Sequence, residues 1–217
     1  VVRIALCQIN STVGDLAGNA SKIERFIDKC SELGVDLAVF PELAVTGYPP
    51  EDLLLKPKFV SDNIVYLEKI AKKCVGLSAV VGFVNENRGL LFNSAAVISD
   101  KNVVAIYDKM LLPNYGVFDE KRYFTPGTTL PIFNLNGMSF GVSICEDMWS
   151  DKGPTDELAK KGADLVIVIN SSPFYFEKWK KREARAEEII KNKKTVLAYL
   201  NLVGGQDELV FDGHSFV

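Results

Sequence analysis

Val35-Asp-Leu-Ala-Val-Phe40 and Ala163-Asp-Leu-Val-Ile-Val-Ile169 are apolar runs of matching pattern, and each follows a helical stretch that ends in glycine. Before the first, Asn19 to Leu33 places Ile23, Phe26, Ile27 and Cys30 at helical spacing, and Gly34 supplies the stop. Before the second, a short helix around Asp156 to Lys161 stops at Gly162. Uninterrupted aliphatic runs are buried on both faces, as parallel strands are. Two helix-glycine-strand units therefore predict a layered α/β fold.

Working outward, Val2 to Cys7, Ala79 to Val84, Leu91 to Ile98, Val103 to Tyr107, Thr195 to Leu200 and Leu209 to Phe211 read as further strands, and Glu177 to Lys194 as a charged helix. Asp100-Lys101-Asn102 and Asn136-Gly137 read as hairpin turns, the latter because Asn-Gly accepts two positive φ values. No low-complexity linker divides the chain, so residues 1–217 are expected to form one domain. The strand pattern is still running at Val217, and the expectation is a domain truncated at its C-terminus.

Composition excludes several function classes. A net charge of −3 and a pI of about 5.4 give no electrostatic reason to bind nucleic acid or an anionic membrane. The longest apolar runs fall far short of the ~20 residues that span a bilayer, and charged and polar residues interrupt the first twenty positions where a signal peptide would need an apolar segment. Cys7, Cys30, Cys74 and Cys145 show no CxxC or other metal-ligand spacing, which predicts free thiols, no metal site and a cytoplasmic setting. His214 is the single histidine, so a Cys-His or Ser-His-Asp scheme has one candidate base.

Three reactive residues stand at predicted strand ends. Glu42 follows Phe40, Lys109 follows Tyr107, and Cys145 closes Phe140-Gly-Val-Ser-Ile-Cys145. Sites in parallel sheets gather at the carboxyl ends of strands, so the three are expected to converge. A thiol of ordinary pKa (~8.5) is mostly protonated at neutral pH and needs a base or a cation beside it. Glu42 is suited to take the thiol proton, and Lys109, with the Glu146 backbone N–H, to hold an oxyanion. Taken singly, Cys145 is also a small buried hydrophobe, Glu42 a loop carboxylate and Lys109 an exposed hairpin lysine. Removing Lys109 is expected to impair acylation with little effect on folding.

Phe40-Pro-Glu-Leu-Ala-Val-Thr-Gly-Tyr48, Tyr107-Asp-Lys-Met-Leu-Leu-Pro113 and Ser143-Ile-Cys-Glu-Asp-Met-Trp149 resemble, in order and spacing, the three catalytic motifs of the nitrilase (carbon–nitrogen hydrolase) superfamily. Within it, Pro113-Asn-Tyr-Gly-Val-Phe-Asp-Glu120, Ser171-Ser-Pro173 with Lys178 and Arg182, and Gly204-Gly-Gln-Asp-Glu-Leu-Val-Phe-Asp-Gly213 resemble the amidase domain of the glutamine-dependent NAD+ synthetase family. The resemblance implies a four-layer α-β-β-α sandwich that hydrolyses the glutamine amide. Ammonia would pass to an ATP-dependent synthetase domain of the same parent chain, which amidates deamido-NAD.

That second domain is not expected within these residues. Its Ser-Gly-Gly-x-Asp-Ser loop is approached only by Val203-Gly-Gly-Gln-Asp-Glu208, which lacks both serines, and there is no P-loop. The amidase step is expected to need no cofactor, with ATP and Mg2+ confined to the synthetase domain. The resemblance also implies a homo-oligomer.

The resemblance assigns attack to Cys145, proton shuttling to Glu42, oxyanion binding to Lys109 and an accessory catalytic role to Glu120. By motif position Tyr115, Glu146 and Ser172 are candidate substrate contacts, followed by Tyr48 and Lys178. Their plain structural readings are packing for the tyrosines, a turn before Pro173 for Ser172, and a solvated helix face for Lys178. Three alternatives remain at this point: a free-standing amidase for another ω-amide or carbamoyl compound, a non-catalytic binding module, and an ATP-dependent ligase acting by itself. A Cys145–His214 pair is a fourth, rival chemistry.

Overall fold

The computed structural model describes all residues from Val1 to Val217. Two sheets lie face to face. The first has the order β1-β2-β3-β4-β5, built from Ile4–Leu6, Leu37–Val39, Ser78–Asn87, Leu90–Ser99 and Asn102–Asp108. The second has the order β6-β7-β8-β9, built from Ile132–Leu135, Met138–Ile144, Leu165–Asn170 and Val196–Asn201. A separate hairpin pairs β10 (Val203–Gln206) with β11 (Leu209–Asp212).

Strands β1, β2 and β3 run parallel, as do β7, β8 and β9. The β3-β4 and β4-β5 pairs are antiparallel, so β5 runs in the same direction as β3. Both predicted hairpin turns form, with positive φ at Asp100 and Lys101 and at Asn136 and Gly137. Ser99 pairs with Asn102, which makes the first a two-residue turn.

Four helices complete the layers. Helix α1 (Leu16–Glu32) buries Leu16, Ala20, Ile23, Ile27 and Cys30, and Asp15 caps it by accepting from Gly18 N at 2.9 Å. Helix α2 (Pro57–Lys73) starts on a proline at its first turn and buries Val60, Leu67, Ile70 and Ala71. These two cover the outer face of the first sheet, meeting Ala38, Phe40, Ala79 and Val81. Helices α3 (Pro154–Lys160) and α4 (Lys178–Ile190) cover the second through Leu158, Ala186 and Ile189 against Val166, Val168 and Leu197.

Between the sheets lies an apolar layer in which Leu37, Val39, Val80, Val97 and Tyr107 meet Val142, Ile144, Ile167, Ile169 and Leu200. This is the four-layer α-β-β-α sandwich expected from the motifs. Side chains alternate between faces along a strand, so each central strand feeds both the inter-sheet layer and a helical layer. That explains the uninterrupted apolar runs from which the fold was read. The two repeated units become α1–Gly34–β2 and α3–Gly162–β8, both glycines having positive φ.

Strand β2 stops at Val39 while β3 continues to Asn87, leaving the β3 edge open beyond Val80. The segment after β2 crosses this edge, and Val45 N donates to Gly82 O at 3.2 Å. A Cβ on Gly82 would sit 2.2 Å from Pro41 O and 2.5 Å from Leu43 N, so only glycine lets the backbone around Glu42 lie there.

Candidate active site

The ends of β2, β5 and β7 bring Glu42, Lys109 and Cys145 to the same edge of the inter-sheet layer. Lys109 Nζ lies 2.7 Å from Glu42 Oε1 and 2.9 Å from both carboxylate oxygens of Glu120. Lys109 and Glu42 are buried, and so is Glu120. Lys109 is therefore not the exposed hairpin residue of the plain reading. Its removal would leave two buried carboxylates without a cation, which corrects the expectation that folding would be little affected.

The cluster sets one ammonium between two buried acid side chains, with an excess of one negative charge when both acids are ionised. Burial pushes the Glu120 carboxyl up to about 7; Lys109 opposes this and Glu42 adds to it. Burial alone would lower the Lys109 ammonium, but the charges of Glu120 and Glu42 outweigh it and hold it well above the ordinary lysine value. Tyr48, buried edge-on against Phe211, donates to Glu120 Oε1 at 3.1 Å.

Asn93, fully buried on β4, ties the two acids together. Its Nδ2 donates to Glu42 Oε1 at 2.8 Å and to Glu120 Oε2 at 3.5 Å, while its Oδ1 has no partner. An orphaned buried acceptor costs about 1–3 kcal/mol. Turning the amide over would aim its oxygen at the two acids, so the unpaired carbonyl follows from serving them.

Cys145 begins a turn of 3-10 helix directly after β7, with φ +45°, an unfavourable backbone for a residue with a Cβ. Burial first, then the negative charge of Glu42, raises the thiol well above its ordinary value, with Lys109 pulling the other way. The resting group is a protonated thiol beside a carboxylate, so attack must accompany proton transfer.

Two clamps join the sheets around the thiol. From the end of β8, Ser171 N donates to Glu42 Oε2 at 2.7 Å and Ser171 Oγ to Glu42 O at 2.9 Å. Two residues after Cys145, the buried Asp147 carboxylate accepts from Tyr107 OH at 2.7 Å and Ile144 N at 3.0 Å through Oδ2, and from Met110 N at 3.2 Å and Leu111 N at 2.9 Å through Oδ1. Burial pushes Asp147 up to about 6, while these donors act against it. Asp147 thus fixes the Cys145 turn against the backbone that carries Lys109.

Cys145 opens on a cavity of about 520 Å³ lined also by Tyr115, Glu146, Ser172, Lys178 and Glu208. Tyr115 OH donates to Glu146 Oε2 at 2.9 Å. The Lys178 ammonium lies 4.7 Å from the centre of the Tyr175 ring, and burial holds it below the ordinary lysine value. Ser172 is held from behind by Arg182, whose guanidinium donates to Ser172 O at 2.9 Å and to both oxygens of Asp212 at 2.8 and 3.0 Å. A larger cavity of about 720 Å³ shares Tyr115 and Glu146 but does not reach Cys145.

Of the sequence candidates, Tyr115, Glu146, Ser172 and Lys178 line the Cys145 cavity, whereas Tyr48 lies behind it on Glu120. His214 pairs with Glu183 at 2.9 Å and does not line that cavity. No group of three or more His, Cys, Asp or Glu side chains is placed to hold a metal ion.

Asn93, Ser171 and Asp147 were not singled out from sequence. A polar residue within the apolar run Leu91–Ile98 is the signal that marks Asn93, and a carboxylate two positions after the reactive cysteine is the signal for Asp147.

A two-sheet sandwich with an acid, a lysine and a thiol converging at strand ends defines a thiol-dependent enzyme class acting on carbon–nitrogen bonds. The chain belongs to the carbon-nitrogen hydrolase family, whose model matches residues 3–217. It is 44% identical over its whole length to a glutamine-dependent NAD(+) synthetase of Xylella fastidiosa. The glutamine-dependent NAD+ synthetase of Acinetobacter baumannii, solved with ADP, superposes with a TM-score of 0.93 at 40% identity, over 98% of this chain and 40% of that one. An amidase of the nitrilase superfamily from Nesterenkonia AN1 superposes at 0.84 with 28% identity, over 99% of this chain and 81% of that one. The chain spans about two fifths of the length of the curated relatives it matches, 38% and 40% for the first two.

Proposed function

We propose that this chain hydrolyses the side-chain amide of glutamine through a Cys145 thioester. The observation that carries the chemistry is the buried Lys109 ammonium held between Glu42 and Glu120 beside the thiol. As Sγ attacks the amide carbon, Glu42 takes the thiol proton and the carbonyl electrons move onto oxygen, where Lys109 stabilises them. Glu42 then returns the proton to the departing ammonia. In the second half Glu42 takes a proton from water, which attacks the thioester; glutamate leaves and the thiol is restored. Glu120, bonded to Lys109 and Tyr48, sets the position and charge of the lysine.

Support for the sulfur nucleophile comes from the Nesterenkonia amidase, solved with acrylamide added at its active-site cysteine. Support for glutamine comes from the names of the synthetase relatives and from a cavity that offers both a cation and carboxylates. Tyr115, Glu146, Ser172 and Lys178 are proposed as its contacts. The ammonia would serve an ATP- and Mg2+-dependent synthetase domain of a longer parent chain, amidating deamido-NAD to NAD+. Four free thiols suit a reducing, cytoplasmic setting.

The test is mass spectrometry after treatment with an electrophilic glutamine analogue, with free glutamine as competitor. A single adduct on Cys145, blocked by glutamine, is expected. A folded protein whose Cys145 stays unlabelled removes glutamine from the reading and turns the search to other ω-amides.

A further inference from the structure

When the side-chain carbon of glutamine sits over Cys145, its α-carbon lies three bonds, about 4 Å, farther out. Groups that recognise the α-ammonium and α-carboxylate therefore belong toward the mouth of the cavity. Glu146 directly follows the nucleophile in the chain, and its carboxylate already accepts from Tyr115 OH at 2.9 Å. The other carboxylate on the cavity wall is Glu208, and the ammonium there is Lys178. Lys178 rests on the Tyr175 ring, and neither charge takes part in an ion pair or side-chain hydrogen bond within the chain.

Glu208 is exposed, but its backbone is anchored. It sits in the two-residue turn between β10 and β11, where Gln206 pairs with Leu209 and Asp207 takes a positive φ. Val13 N donates to Gln206 Oε1 at 2.9 Å on one side of the turn. On the other, Phe174 N donates to Val210 O at 2.7 Å, tying the hairpin to the segment that leads into Lys178. Leu209 is buried in the cluster that holds Tyr48 and Phe211. The hairpin is thus held on both sides, and through Phe174 it is fixed to the wall of the cavity. Glu208 also lines an adjoining acidic hollow of about 620 Å³ with Glu51 and Asp207, which draws a cationic group toward this rim.

We propose that Glu208 receives the α-ammonium of the substrate at the cavity mouth, alongside the Lys178 contact already assigned, so that the β10-β11 hairpin selects an α-amino acid over a simple amide. This rests on the glutamine reading above. The test compares glutamine with 5-amino-5-oxopentanoic acid, which lacks only the α-amino group. The purified protein is assayed for ammonia release alongside its Glu208→Gln and Glu208→Asp variants.

Wild type is expected to favour glutamine, and Glu208→Gln to lower the ratio of the two kcat/KM values about three- to tenfold, chiefly through KM for glutamine. Glu208→Asp should recover part of the ratio. A loosened hairpin would depress both substrates together and leave the ratio unmoved. An unchanged ratio in Glu208→Gln overturns the assignment, as does a wild type that turns over both compounds equally; glutamine turnover then still stands. If neither compound releases ammonia, the glutamine reading and this one fail together.

Discussion

Replacing Glu120 by glutamine should change how stability depends on pH, with a sign and size set by the buried cluster. Burial raises the Glu120 carboxyl from 4.5 to about 7. Between those values the folded chain holds a proton that the unfolded chain has lost, so folding stability falls as pH rises through this window. A shift of roughly 2.5 units at 1.36 kcal/mol each corresponds to about 3 kcal/mol. Glutamine is uncharged like the protonated acid, but its amide N–H faces the donors of Lys109 and of Tyr48 or Asn93, a fixed cost that does not change with pH. Between pH 4.5 and about pH 8 the variant should therefore gain about 3 kcal/mol relative to wild type, on top of that fixed offset. Urea unfolding of both proteins across this range, followed by far-UV circular dichroism, measures the difference. Asp147, raised to about 6, acts in the same direction but is present in both proteins and cancels. Two stability curves that run parallel from pH 4.5 to 8 would refute the assignment of the cluster's proton to Glu120.

Cys145→Ala should abolish both ammonia release and labelling by an electrophilic glutamine analogue while leaving the unfolding midpoint within about 1 kcal/mol, since it removes one sulfur at the cavity floor. Lys109→Ala should lose roughly 10²- to 10³-fold in acylation rate and also about 3–5 kcal/mol of stability, because it strands Glu42 and Glu120; single-turnover kinetics and urea titration read the two effects separately. Gly82→Ala forces a Cβ against Pro41 and Leu43, and a shift of about 1 Å in the Glu42 backbone should cost on the order of 10²-fold in kcat. Asp147→Asn keeps the shape but turns an amide N–H toward at least one pair of donors, and should cost about 2–5 kcal/mol in urea unfolding.

The layers were legible because the central strands are buried on both faces, and the runs ending at Phe40 and Ile169 carry that signature openly. Helix α2 was not anticipated, although Pro57 at its first turn and the spacing of Val60, Leu67, Ile70 and Ala71 mark it. Glu42, Lys109 and Cys145 were readable from strand ends and flanking motifs. The residues that hold them were not, because their roles come from pairings distant in sequence. Ser171 reaches back 129 positions to Glu42, and Asn93 is an ordinary strand amide until Glu42 and Glu120 stand on either side of it. Lys178 was a candidate by motif position, with a solvated helix face as its plain reading, and the cavity it lines separates it from Lys180 and Lys181.

Glu42 and Lys109 ride on one sheet and Cys145 on the other, so the reactive arrangement is a coincidence detector for docking of the two halves. Adjacent residues along a strand lie about 3.3 Å apart, and a slip of even one such step would carry the thiol out of reach of its base. The Ser171–Glu42 and Asp147–Leu111 clamps close only when both sheets are in register. A nascent chain whose sheets have formed but not met carries an unactivated thiol and a carboxylate with no proton to take. The proposed hydrolysis therefore requires both sheets to be docked, and a chain whose sheets stand apart would consume no substrate.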